Sequence, residues 1–230
     1  MTVAVGMLVL GFLIVIHELG HLFAAKAMKM SVPAFSVGLG PVLWSKKWRG
    51  TEYRLSAIPL GGYVMLDPQD PSFQASTAWQ RILFFFAGPL ANVLLTAVLF
   101  ASIGRPELLV DSTREMLNVL GGLFSGAIPV SKLSGPVGIV KLAGASASAG
   151  VTALCGFAAF LSLNLAILNL LPLPVLDGGQ IIIAALEGLI RRPLHVRVRL
   201  ALAAVTWLLL LSLFAYVTVG DISRIWNSVA

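Results

Sequence analysis

Charge is scarce in this chain. Asp, Glu, Lys and Arg together make up 11% of its 230 residues, against about 25% in an ordinary soluble domain. Histidine occurs three times and cysteine once. The lone Cys155 has no partner within the chain, so no disulfide framework holds the fold together, and the residue carries no information about redox compartment. It lies in an apolar run and reads as a small buried residue. No basic run is interleaved with aromatics, so the formal charge of +6 does not point to nucleic acid. The first apolar run lacks a basic leader and a small-residue cleavage site, so it is expected to be retained rather than removed as a signal peptide. What fills the chain instead is apolar: 58% of residues are hydrophobic and mean hydropathy is +0.93. These values predict a polytopic protein of the lipid bilayer.

About 20 apolar residues cross a membrane as a helix. Four runs are long enough, at approximately 3–25, 82–103, 151–171 and 200–219. The fold class expected is all-α, with about four transmembrane helices. Lys and Arg set the orientation. The first loop carries Lys26, Lys29, Lys46, Lys47, Arg49, Arg54 and Arg81, and the third carries Arg191, Arg192, Arg197 and Arg199. The middle loop mixes Arg105, Arg114, Lys132 and Lys141 with Glu107, Asp111 and Glu115. The first and third loops are therefore expected in the cytoplasm, with both termini extracytoplasmic. Residues 50–66, "GTEYRLSAIPLGGYVML", hold β-formers broken by Pro59, Gly61 and Gly62, and read as a small hairpin or re-entrant strand loop in the first cytoplasmic loop. Residues 134–150 are rich in Gly, Ala and Ser, and read either as a loop or as a small-residue helix packed closely on its neighbours.

Against this background "VIHELGH" at 15–21 is anomalous. Each ionisable residue in a membrane helix costs about 2.5–3.5 kcal/mol on insertion scales, and three occur here within five positions. On a helix His17 and His21 stand at i and i+4, so both imidazoles leave one face and reach one metal ion. Glu18 sits beside that ion without having to bind it. This is the HExxH arrangement of two zinc ligands and a general base. A catalytic zinc takes a third protein ligand and keeps an open position. His195, in the basic stretch "RRPLHVRVR", is expected to face water or headgroups. Asp177, in "NLLPLPVLDGGQ", is the better candidate: Pro172 and Pro174 prevent a regular helix there, and unwound backbone at membrane depth is tolerated only where protein buries it or a cavity receives it.

The two motifs together resemble the site-2 protease family (M50) of intramembrane zinc metalloproteases. "FSVGLGPVLW", "GTEYRLSAIPLGGYVMLD", "FFFAGPLANVLL" and "LSGPVGIVKLAG" are similar, in the same order, to segments of its bacterial RseP branch. The resemblance covers nearly the whole chain and implies a single transmembrane metalloprotease domain over 1–230. It implies Zn2+ held by His17, His21 and Asp177, Glu18 as the catalytic glutamate, and Asn169 as the asparagine near the active site, where an amide N–H would stabilise a developing oxyanion. Asn164 is a weaker candidate, read as an interhelical hydrogen-bonding residue, and Asn92 in "GPLAN" reads as a packing or gate residue. The family's re-entrant β-hairpin maps onto 50–66, with an edge expected along 53–58 for an unwound substrate. The chain departs from that branch in one respect: only about residues 104–140 stand where it carries one or two PDZ domains.

The implied activity is regulated intramembrane proteolysis in the bacterial cytoplasmic (inner) membrane. A zinc-activated water and a Glu base would cut transmembrane segments of single-pass substrates, such as anti-sigma-factor-like proteins and remnant signal peptides. Two other classes compete: a divalent-metal transporter and a non-catalytic membrane adaptor. The second and fourth spans are nearly free of ionisable groups, which disfavours an ion pathway. Substrate identity and oligomeric state are not legible.

Overall fold

A computed structural model of the chain describes residues 2–67, 69–130, 133 and 135–229. Lys132 and Ser134, both part of the sequence reading, lie outside them. Four helices are long and apolar enough to cross a membrane: α1 (Thr2–Ala27), α3 (Ala78–Ser102), α6 (Val151–Asn169) and α8 (Val196–Val229). Between them run α2 (Pro71–Gln74), α4 (Leu108–Phe124), α5 (Pro136–Ser148) and α7 (Asp177–Ile190). The protein is thus mostly helical, with four candidate spans and one small sheet.

α3 is the central helix and packs on α1, α6 and α7. Its first turn is fixed by a capping box: Gln80 N–H donates to the Thr77 hydroxyl while the Gln80 side chain accepts from Thr77 N–H. Small residues bring α1 against it. A Cβ on Gly20 would lie 2.3 Å from the Ala87 carbonyl oxygen and 2.8 Å from the Ala91 Cβ. Such backbone approach is how helices associate where lipid removes the hydrophobic drive between them. The glycine inside "HELGH" therefore sets the distance between the helix bearing the histidines and the helix that supports them. Outward-facing positions are large and apolar, as lipid requires: Phe23, Leu94, Leu189 and Leu208 are each more than half exposed.

The sheet is larger than the sequence suggests. Its two strands are β1 (Ala34–Trp48) and β2 (Thr51–Met65). Arg49 and Gly50 join them, with φ of 45° and 80°, the left-handed pair that a two-residue primed hairpin turn needs. Within residues 50–66, β2 is one bent strand, in keeping with the re-entrant strand alternative of the sequence reading, and it pairs with β1 as a small hairpin. Its partner β1 escapes the sequence reading because Gly38, Gly40 and Pro41 interrupt the alternation. Both strands bend. Ala34 lies opposite both Glu52 and Met65, and Val37 opposite both Leu55 and Gly62, while Ser45 and Trp44 also face Arg54 and Leu55. Residues 52–55 are thus flanked on both sides. The edge expected along 53–58 is occupied on both sides at 53–55, and 62–65 forms the border of this part of the sheet.

The stretch read as a short loop, 104–140, contains α4 and the start of α5. α4 buries no side chain. The small-residue segment is helical: α5 packs on α1, where a Cβ on Gly6 would touch Val140 and Ala143 at 3.4–3.5 Å. α8 is the least embedded span, with 11% of its most apolar stretch buried against 33% for α6. Its C-terminal part is tied to the start of α5 by Asp221, which accepts from Gly135 N–H at 3.1 Å and Gly138 N–H at 2.8 Å. A carboxylate at a helix start meets unpaired N–H groups and the positive end of the dipole.

Candidate metal centre and its surroundings

α1 carries His17 and His21 about 15 and 9 Å from its Ala27 end, at 1.5 Å per residue. Both distances are shorter than the roughly 30 Å thickness of a hydrocarbon core. Both rings are buried and turn toward α3 and α7. Asp177 arrives from 160 residues away. α6 stops at Asn169, and the two prolines hold 170–176 in turns closed by Leu173 N–H to Leu171 O at 2.7 Å and Leu176 N–H to Leu173 O at 2.8 Å. α7 then starts at Asp177 itself, so the carboxylate is a first-turn residue and not a cap. Gly178 and Gly179 follow because side chains there would strike the Leu170 and Leu173 carbonyl oxygens, each 2.1 Å from the added Cβ.

The three side chains converge. His17 Nε2 is 3.0 Å from Asp177 Oδ2, His21 Nε2 is 3.4 Å from Asp177 Oδ1, and the two Nε2 atoms are 3.2 Å apart. One ligand atom from each residue lies within 4.8 Å of the others. His21 Nδ1 is 2.8 Å from the Phe84 carbonyl oxygen, which only accepts, so the proton sits on Nδ1 and neutral His21 presents a bare Nε2 lone pair to the cluster.

His17 has a comparable support in Asn92, on the buried face of α3. The Asn92 amide nitrogen stands 3.4 Å from His17 Nδ1, while its buried Oδ1 has no partner. Turning the amide over, an assignment made from hydrogen bonding, gives His17 Nδ1–H an acceptor and frees its Nε2 as well. Two imidazole lone pairs and a carboxylate aimed at one point, each imidazole held through its other nitrogen, form the donor set of a metal site with its supporting shell. Gly88 leaves room for it: a Cβ there would sit 2.3 Å from His21 Nε2 and 2.7 Å from His17 Nε2.

A cavity of about 400 Å³ opens on this cluster, lined among others by Glu18, Asn169, Leu165, Phe85, Tyr63 and Val64. Glu18 faces the sheet border. Val64 lines the cavity beside it, and a Cβ on Gly62 would lie 3.0 Å from the Glu18 Cγ. Asn169 Nδ2 is 3.4 Å from His17 Nε2. The structure thus brings His17, Glu18, His21, Asn169 and Asp177 together. His195 is elsewhere, exposed, and accepts from Arg197 N–H at 3.2 Å. Asn164 makes none of the interhelical hydrogen bonds recorded among the described residues, and does not line the cavity. The role of Asn92 beside His17 was not evident from sequence. Its signal there is an amide in a span whose other polar residues are hydroxyls, Thr96 and Ser102.

The family model for peptidase family M50 matches residues 5–213. The chain belongs to that family, and its four apolar helices make it a membrane protein of several spans. Among curated proteins it is 46% identical over 136 residues to a "Putative zinc metalloprotease" of Chlamydia trachomatis, a match covering 50% of this chain and 21% of that protein. It is 26% identical over 339 aligned positions to "Putative zinc metalloprotease Cj1068" of Campylobacter jejuni, covering 95% and 92% of the two. It is also 26% identical over 340 positions to "Putative zinc metalloprotease FN1322" of Fusobacterium nucleatum, covering 99% and 100%. The last two alignments are longer than the 230 residues of this chain, so those relatives carry internal sequence with no counterpart here.

Proposed function

We propose that this protein is an intramembrane zinc metalloendopeptidase that cuts peptide bonds in the membrane segments of single-pass proteins. The observation that carries the reading is the convergence of His17, His21 and Asp177 beside Glu18, in one cavity at membrane depth. His17, His21 and Asp177 hold the metal. When bound, zinc acts as a Lewis acid that polarises a carbonyl and lowers the pKa of water to about 7.

The remaining steps belong to the chain's own groups. Glu18 takes the proton from the attacking water and returns it to the leaving amine. The Asn169 amide, pointed into the same cavity, donates to the carbonyl oxygen as it gains negative charge. Phe84 O and Asn92 keep the two imidazoles in the tautomers that leave Nε2 free. A transmembrane helix shields its peptide bonds, so the substrate must unwind before attack. The border at 62–65, next to Glu18, is where an extended segment would find backbone partners in place of those it gives up. The substrates that fit this reading are single-pass proteins, including anti-sigma-factor-like proteins and remnant signal peptides.

The orientation that accompanies this reading has both termini extracytoplasmic and the site opening toward the cytoplasmic loops of a bacterial inner membrane. It is supported by Arg81 and Arg199 meeting on one carboxylate, Glu187, which gathers the basic first and third loops at one end. The test is cleavage of a tagged single-pass substrate by purified protein, wild type beside Glu18→Gln, with bound zinc measured in both. Expected is a loss of about 10²–10⁴-fold in rate with zinc retained near one per chain. Cleavage by Glu18→Gln at the wild-type rate overturns the role given to Glu18, and absence of zinc from both proteins overturns the metal site.

A further inference from the structure

A second cavity, of about 800 Å³, runs along α7 from Pro174 and Gln180 to the turn into α8. Its charged lining is four arginines, Arg81, Arg191, Arg192 and Arg199, and a single acid, Glu187. Glu187 is buried and fully engaged. Its Oε2 accepts from Arg81 at 3.2 Å, and its Oε1 accepts from Arg199 and from Leu194 N–H at 2.7 Å. Arg81 is further fixed by Ser76, donating to its hydroxyl at 3.1 Å and its carbonyl at 3.2 Å. One carboxylate thus holds two guanidinium groups, while Arg191 and Arg192 make no ion pair among the described residues. The chain turns over at this point, with Arg191 at φ 52°, and both side chains are exposed at the rim. The cavity is strongly positive and open to an anion.

Apart from Gln74 and Gln180, the rest of its wall is apolar. Phe73, Ile183 and Leu194 contribute, and so do Leu200 and Ala203, which belong to the α8 span. An arginine rim continuous with a lipid-facing helix matches the two halves of a phospholipid. We propose that this cavity binds an anionic phospholipid of the leaflet at the α7–α8 turn, its phosphate on Arg191 and Arg192 and its upper chain against α8. Charge selects the headgroup, and the apolar wall between two loosely associated helices selects a lipid over a free anion. The bound lipid fills the gap between α7, whose first residue is Asp177, and a span that otherwise touches little protein.

The experiment uses the full chain, delipidated in neutral detergent and then exchanged with vesicles of phosphatidylcholine alone or of equal parts phosphatidylcholine and phosphatidylglycerol. Retained lipid is counted by native mass spectrometry and thermal stability is recorded. The same protein with inorganic phosphate forms a third arm. Expected is retention of phosphatidylglycerol on wild type, with a raised melting temperature that neither phosphatidylcholine nor phosphate reproduces. Arg191→Gln/Arg192→Gln should retain on the order of ten- to thirtyfold less. Arg191→Lys/Arg192→Lys should recover most of it, and Arg197→Gln, outside the cavity, should match wild type. Equal retention of the two lipids by wild type, equal stabilisation by phosphate, or a lysine variant as deficient as the glutamine one would each overturn the proposal. The first two readings need no variant to fold.

Discussion

α7 carries two buried or nearly buried carboxylates, Asp177 in its first turn and Glu187 near its end, and they have opposite surroundings. Asp177 faces two imidazoles whose other nitrogens are held by Phe84 O and Asn92. Glu187 faces two guanidinium groups that never give up a proton and carry no lone pair. The first set of partners supplies electron pairs, so the cluster has a place for a cation. The second supplies only donors, so the cluster is complete in itself and works as a clasp joining α3, α7 and α8. A buried acid in a membrane protein therefore takes its function from what its partners can donate, and burial alone does not distinguish a metal ligand from a strut.

The sharpest way to break this comparison is Asp177→Asn. It removes the charge proposed to bind the metal and leaves the shape, so bound zinc should fall to a small fraction of one per chain and cleavage to background. Metal analysis of the purified variant checks it, and full zinc occupancy would contradict the ligand assignment. Next is the support rather than the ligand. Asn92→Leu should leave His17 in place but unheld, weakening metal affinity about 10–100-fold, as read by chelator competition. Unchanged affinity would mean that α1 alone orients His17. The smallest effect on the site should come from Glu187→Leu. It strands Arg81 and Arg199 and should cost roughly 2–4 kcal/mol in stability, below the figure for a fully buried pair because Arg199 stays partly exposed. Zinc content should not change. A variant that loses zinc as completely as Asp177→Asn would erase the distinction between the two carboxylates.

The parts of this arrangement that could be read from sequence are those governed by local rules. The spans follow from length and hydropathy, and the His17–Glu18–His21 face follows from helical periodicity. Asp177 follows from the impossibility of a helix across Pro172 and Pro174. The parts that escaped depend on the third dimension. Asn92 and Glu187 acquire meaning only when α3 meets α1 and α7. β1 was hidden by its own glycines, and the open edge fell at 62–65 because residues 52–55 are enclosed, which no alternation pattern in a single strand reveals. α5 was legible only as one of two alternatives, since a run of Gly, Ala and Ser does not say whether a neighbour stands close enough to be packed against.

His17 and Asp177 meet across 160 residues of chain, and this separation imposes an order in time. A ribosome adding about 5–20 residues per second needs roughly 8–30 s to get from one to the other. For that interval α1 lies in the membrane with its histidines and glutamate but without the carboxylate that completes the cluster. On the function proposed above, the nascent chain has no complete metal site during that interval. The spacing of these residues along the chain thus delays assembly of the cluster until about three quarters of the sequence has been made.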